Sequence, residues 1–78
     1  MPLFEKIKKL TSEYFKISVD QLSESTIAND VPGWDSLAHA DFLIFLEKNF
    51  LIEFDLSDLM NMDKLGDLNK IIEKKLPK

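Results

Sequence analysis

Between Leu3 and Phe15 the apolar residues Leu3, Phe4, Ile7, Leu10, Tyr14 and Phe15 recur at helical spacing, which gives a helix one apolar side. The pattern predicts a first helix from Pro2 to about Phe15, with the proline in a first turn, where no internal hydrogen bond is lost. From Lys16 to Gly33 the apolar residues thin to Ile17, Val19, Leu22 and Ile27 among Ser, Thr, Asn and Asp. That is too sparse for a long helix, yet regular enough to anchor a loop on a core. Within it, "SVDQL" places Ser18 and Gln21 at capping-box spacing and predicts one turn. After the turn residues "PGW", the pair Asp35 and Ser36 offers two good N-caps for a second helix running to about Asn49. Phe42, Leu43, Leu46 and Phe50 mark its inward side.

Further on, "IEFDLSDLMNM" alternates briefly and then predicts a short helical turn near Ser57 to Asn61, with Asp55 or Ser57 as its cap. Leu65, Leu68, Ile71, Ile72 and Leu76 predict a last helix from about Asp63 to Leu76. Lysines in its final turns favour the helix dipole, and Pro77 stops it. Three longer helices, one short third helix and a long first loop read as an all-α, small four-helix bundle. The whole of residues 1–78 is read as one domain, without internal repeat or low-complexity tract.

A chain of 78 residues is near the size at which one core supplies only ~3–5 kcal/mol of net stability, so a platform is expected more than a deep cleft. There is no cysteine and only one histidine, His39, which removes thiol nucleophiles and the usual His/Cys metal clusters. The longest apolar run, Phe42 to Leu46, is too short for a signal-peptide core or a membrane span. The expectation is a soluble, cytoplasmic protein, with monomer the default. Charge is unevenly spread: residues 30–63 hold eight acids against Lys48 alone, whereas residues 1–16 and 64–78 are lysine-rich. Such an acidic middle repels nucleic-acid phosphates and suits a basic protein partner, although a merely solvated surface has the same composition.

Ser36 stands where the turn meets this apolar helix. As an N-cap its hydroxyl would satisfy a backbone N–H of the first turn, and nothing more. The same geometry also suits a phosphate attached to Ser36, because a helix N-terminus presents free N–H groups and a partial positive charge.

At these residues the sequence resembles the acyl carrier protein family. "GWDSLAHADFLIFLEKNF" is similar to the family's Asp-Ser-Leu at the start of its second helix, followed by an apolar-acidic helix ending in "LE..F". "LIEFDLSDLMNM" resembles its short third helix and "KLGDLNKIIEKKL" the Gly-Asp-Leu opening of its fourth, so the resemblance covers essentially the whole chain. Each motif alone is weak; their order and separations in a chain of this length make them specific together.

The resemblance implies a carrier on which a phosphopantetheinyl transferase moves phosphopantetheine from coenzyme A onto Ser36. Acyl groups then travel as thioesters between separate acyl-loading and acyl-processing enzymes, and the chain has no catalysis of its own. The arm supplies the thiol that the cysteine-free chain lacks. By matching position, Asp35 orients the modifying enzyme or its metal-bound coenzyme A. Leu37, Asp41, Ile44 and Glu47 match positions that meet partners, with Leu37 and Ile44 forming an exposed apolar stripe. A plain helix would instead use Asp35 as a start-of-helix carboxylate and bury Leu37 and Ile44. Phe42, Leu43, Leu46 and Phe50 are assigned to the core, where an acyl chain could also insert. Where many fatty-acid carriers have an acid two positions after the serine, Ala38 stands here, and Lys48 follows Glu47. This weaker acidic face favours a dedicated pathway, such as polyketide, modified-sugar or specialised-lipid assembly, over the general fatty-acid synthase. Trp34 and Phe45 are bulky additions around the same region.

Three other readings compete. A hydrolase built on Ser36 and His39, with Asp35 or Asp41, lacks an oxyanion site and a group to orient the base. An aminoacyl or peptidyl carrier would share the serine, the arm and the bundle, but such carriers more often have "GG" where this chain has "PGW". A helical interaction domain without a prosthetic group would use Ser36 only as a cap.

Overall fold

A computed structural model describes residues 2–76 of the chain. Four α-helices follow one another: α1 (Leu3–Phe15), α2 (Ser36–Phe50), α3 (Leu56–Met60) and α4 (Leu65–Lys75). Two 3₁₀ turns, Val19–Gln21 and Ala28–Asp30, lie in the long connection between α1 and α2. The expected helices are all present, in the expected order. Pro2 sits just outside α1 rather than in its first turn. The last helix is shorter than Asp63–Leu76, because Asp67 Oδ2 accepts the N–H groups of Asp63 and Lys64 (3.1 and 3.3 Å) and holds them as a capping turn. Pro77 lies outside the described residues.

The core draws on every long element: Ile7 and Leu10 from α1, Leu22 and Val31 from the first connection, Phe42, Leu43, Leu46 and Phe50 from α2, and Leu65, Leu68 and Ile72 from α4. The connection therefore contributes to the core instead of looping freely. Buried Thr11 spends its hydroxyl on the Ile7 carbonyl (2.7 Å), so no unpaired donor is buried there. The core is aromatic around Phe42, where Tyr14, Phe15, Trp34 and Phe45 surround its ring at centroid distances of 5.1 to 6.2 Å; elsewhere it is aliphatic.

Two details fix the connections. Leu65 and Gly66 donate their N–H groups to the carbonyls of Thr26 and Glu24, both at 2.9 Å. The first turn of α4 thus finds its acceptors in the first connection instead of in water. A Cβ at residue 66 would lie 3.0 Å from the Glu24 carbonyl oxygen, which explains the glycine in "KLGDL" as a close-approach residue. Helix α3 contributes no buried residue. It is capped reciprocally by Asp55 and Asp58 and tied to α4 by Lys75, whose Nζ lies 2.7 Å from Asp58 and 4.0 Å from Asp55. The Lys75 ammonium, and then the Asp55 N–H, hold the Asp58 carboxyl below its ordinary value.

Candidate functional site

The turn before α2 is built for a sharp entry. Gly33 takes φ +85°, a left-handed conformation that costs glycine nothing, and Asp35 follows with extended backbone. Asp35 is the N-cap: its Oδ1 accepts the Ala38 N–H at 2.8 Å, while its carbonyl accepts the His39 N–H at 2.8 Å. Of the two capping candidates offered by the sequence, the aspartate takes the role. Ser36 is left as the first helical residue, exposed, and its hydroxyl has no hydrogen-bond partner among the described residues. Helix geometry also leaves the N–H groups of Ser36 and Leu37 without intrahelical acceptors. An exposed nucleophilic oxygen therefore stands at the positive end of a helix.

Behind the serine lies a polar pair that sequence reasoning did not anticipate. Trp34 Nε1 donates to His39 Nδ1 at 2.9 Å, with the two rings 5.9 Å apart and nearly parallel. Trp34 also stacks on Phe15 at 4.7 Å and 15° and meets Phe42 edge-on. His39 is half-buried, and burial pushes its pKa below the ordinary imidazole value. Its Nδ1 accepts from Trp34, and no Ser36–His39 hydrogen bond is present among the described residues. A cysteine-free, one-histidine sequence drew attention to His39 only as a catalyst; its spacing of five from Trp34 gave no periodic signal.

Trp34 and His39 also border an apolar pocket of about 30 Å³, completed by Thr26 and Ala28 from the first connection, Met62 before α4, and Leu65 and Leu68 on α4. This space is shared between three segments of chain.

The outward face of α2 carries the remaining sequence candidates. Leu37 is 75% exposed and Ile44 49%, so the apolar stripe faces solvent and the alternative of burying both residues does not apply. Leu51, seven positions beyond Ile44, continues it at 89% exposure, immediately after the helix. The repeated spacing of seven was a signal for Leu51 that the sequence reading did not use. Asp41 is exposed. Glu47 differs: it is half-buried, and its Oε2 accepts the Phe54 N–H at 2.8 Å, which fastens the segment after α2 to the helix. Its carboxylate is partly committed to the fold, while Asp41 is free to point outward.

No family model matches the chain. An acyl carrier protein of Thermotoga maritima is 34% identical over 74 residues, covering 95% of this chain and 91% of that protein. The chain belongs to the acyl carrier protein family. The solution structure of a holo acyl carrier protein from Geobacter metallireducens superposes with a TM-score of 0.85 at 32% identity, covering 96% of this chain and 86% of that one. The fold of three longer helices and a short third helix is thus that of an acyl carrier protein, and the implied cofactor is a covalently attached phosphopantetheine.

The residues present fit that group. A phosphodiester needs a reachable hydroxyl and a setting that tolerates negative charge. Ser36 offers the hydroxyl, and the unpaired N–H groups of the first turn offer the setting. Because Asp35 already caps the helix, substitution of the serine oxygen sacrifices no hydrogen bond within the described residues. Among these residues, no helix is long and apolar enough to cross a membrane.

Proposed function

We propose that residues 1–78 form one carrier domain that holds acyl intermediates as thioesters on a phosphopantetheine arm joined to Ser36. The observation that carries this reading is the exposed, unbonded Ser36 hydroxyl on a helix whose cap is supplied by Asp35. When bound, the arm supplies the thiol on which the acyl group travels; the chain supplies position and recognition. First-turn N–H groups stabilise the phosphate, and Asp35 holds the turn in the conformation that presents Ser36 to the transferase and its metal-bound coenzyme A. Leu37 and Ile44 offer apolar contact to acyl-loading and acyl-processing enzymes, with exposed Leu51 adding to it just beyond the end of the helix. Asp41, and Glu47 through its second oxygen, steer basic partner surfaces, where such charges act mainly on encounter rate. The domain performs no catalysis and works as a cytoplasmic monomer without binding nucleic acid. Ala38 and Lys48 dilute the acidic face and favour a dedicated polyketide, lipid or glycan pathway over general fatty-acid synthesis.

Incubation with coenzyme A and a broad-specificity phosphopantetheinyl transferase, followed by intact-mass measurement and peptide mapping, tests the assignment. One phosphopantetheine is expected on the peptide containing Ser36. Ser36→Ala is expected to abolish the addition while changing stability by less than about 0.5 kcal/mol, since an exposed hydroxyl without partners is lost. Persistent modification of that variant, or failure of the folded wild type with several transferases, sinks the proposal and returns Ser36 to an unmodified interaction domain.

A further inference from the structure

The pocket bordered by Trp34 and His39 is too small for its setting. About 30 Å³ holds one or two water molecules, whereas a cavity of roughly 150 Å³ is needed for a ring the size of benzene. Yet its lining is mostly apolar, from Trp34, Met62, Leu65 and Leu68. It also adjoins the first turn of α2, where Ser36 and His39 stand three apart and share a helical side. An apolar group longer than a few atoms enters only if part of the lining moves. Leu65 and Leu68 are buried on α4 and cannot move without opening the core. Trp34 is half-buried, lies in a turn outside any helix, and is held by its stack on Phe15 and its hydrogen bond to His39.

We propose that the Trp34–His39 hydrogen bond is a latch on this pocket, and that it sets the size of acyl tail the carrier shelters. A short tail leaves the latch closed, and a long one is sheltered only when Trp34 swings out. The inference rests on the carrier reading for its cargo, but the latch is a property of the unmodified chain.

The chemistry of the pair gives it a second handle. An indole N–H only donates, so His39 must be neutral, with Nδ1 as acceptor and the proton on Nε2. A proton on Nδ1 sets two donors against each other and releases Trp34. The charged groups facing the pair are few. The connection before α4 brings Asp63 and Lys64, of opposite sign, along the pocket; the α2 side brings Asp35, whose carboxylate is turned to Ala38; α1 brings the uncharged ring of Phe15. Burial lowers the His39 pKa, so the unfolded chain takes the proton more readily than the folded one. The stabilisation from the neutral pair is therefore complete above the ordinary imidazole value of 6.5, and it is lost as pH falls from there through the lowered value.

Trp34 is the sole tryptophan, so its fluorescence reads the latch directly. The carrier is loaded from acetyl- and octanoyl-coenzyme A, and acrylamide quenching of Trp34 is compared with that of the unloaded chain. Acetyl loading is expected to leave quenching unchanged, and octanoyl loading to raise it about twofold with a red-shifted emission, as the indole exchanges burial for water. In the unloaded chain, quenching is expected to rise as pH is lowered from about 8 to about 5. His39→Gln, which keeps an acceptor but cannot be protonated in this range, should stay quenching-resistant and flat with pH, while His39→Ala should be quenched throughout. Equal quenching with both cargoes overturns the size limit, and a flat wild-type pH profile overturns the latch. Absence of added mass on Ser36 overturns the carrier reading and the cargo limit with it, and leaves the pH profile to decide the latch.

Discussion

The two ends of α2 each use one acidic side chain to accept a backbone N–H, with opposite effects. At the N-terminal end Asp35 satisfies the helix's own first turn, and the neighbouring serine is thereby released from structural duty. At the C-terminal end Glu47 reaches across to Phe54, and the next segment of chain is thereby fastened down. The helix then closes on Leu51 in a left-handed conformation, φ 56°. One end is arranged to leave a reactive group free, the other to hold a connection still. Acidic residues in a carrier-like helix are thus not interchangeable counters of surface charge.

Substitutions should separate the ends by size of effect. Glu47→Ala removes a charged acceptor from a half-buried N–H and is expected to cost about 1.5–3 kcal/mol in denaturant unfolding, with increased amide exchange confined to residues 52–55. A loss under a few tenths would mean that water replaces the carboxylate without penalty and that Glu47 is free to serve partners alone. Asp35→Ala deletes the N-cap at a cost of about 1 kcal/mol and should slow transfer of phosphopantetheine, because Ser36 loses its fixed presentation. Asp35→Ser, which restores a capping oxygen, should recover the stability. If it also recovers the transfer rate, Asp35 acts by capping; if not, its charge matters to the transferase. The smallest effect is expected from Leu51→Gly: relief of the left-handed strain, offset by a more flexible unfolded chain, leaves a gain of about 0.5–1 kcal/mol. A stabilised Leu51→Gly that serves acyl-processing enzymes more slowly would show that leucine is kept there for contact despite its backbone cost.

Periodicity located α1, α2 and α4 because the apolar residues that define them are also those the core buries, from Ile7 and Leu10 to Leu68 and Ile72; α3, which buries nothing, was marked by its capping residue instead. Ser36 stood out as a candidate for a different reason: a helix start has few chemical solutions, and the Asp-Ser-Leu pattern with its flanks resembles that of one family. What stayed hidden depends on contacts between segments without a shared period. Trp34 and His39 pair across a helix boundary, so neither a helical nor a turn pattern links them. The role of Glu47 toward Phe54 was masked by its neighbours in an acidic stretch, since a carboxylate turned to a backbone N–H looks the same in sequence as one turned to solvent. Gly66 was read as part of a motif, and its reason, the Glu24 carbonyl 3.0 Å from where a Cβ would stand, comes from a chain segment forty-two positions earlier.

That approach between residues 24–26 and 65–66 also bears on how the chain acquires its shape during synthesis. The carbonyls of Glu24 and Thr26 receive their donors from Leu65 and Gly66, so the first connection cannot reach its final form until the start of α4 has left the ribosome. Closing so long a loop carries an entropic cost that grows only slowly with length, but nothing offsets it until the last helix arrives. A nascent chain ending before Leu65 therefore holds Ser36 on a helix whose surroundings are unset, and the platform beneath that serine takes its final shape only after residues 65–66 have been made.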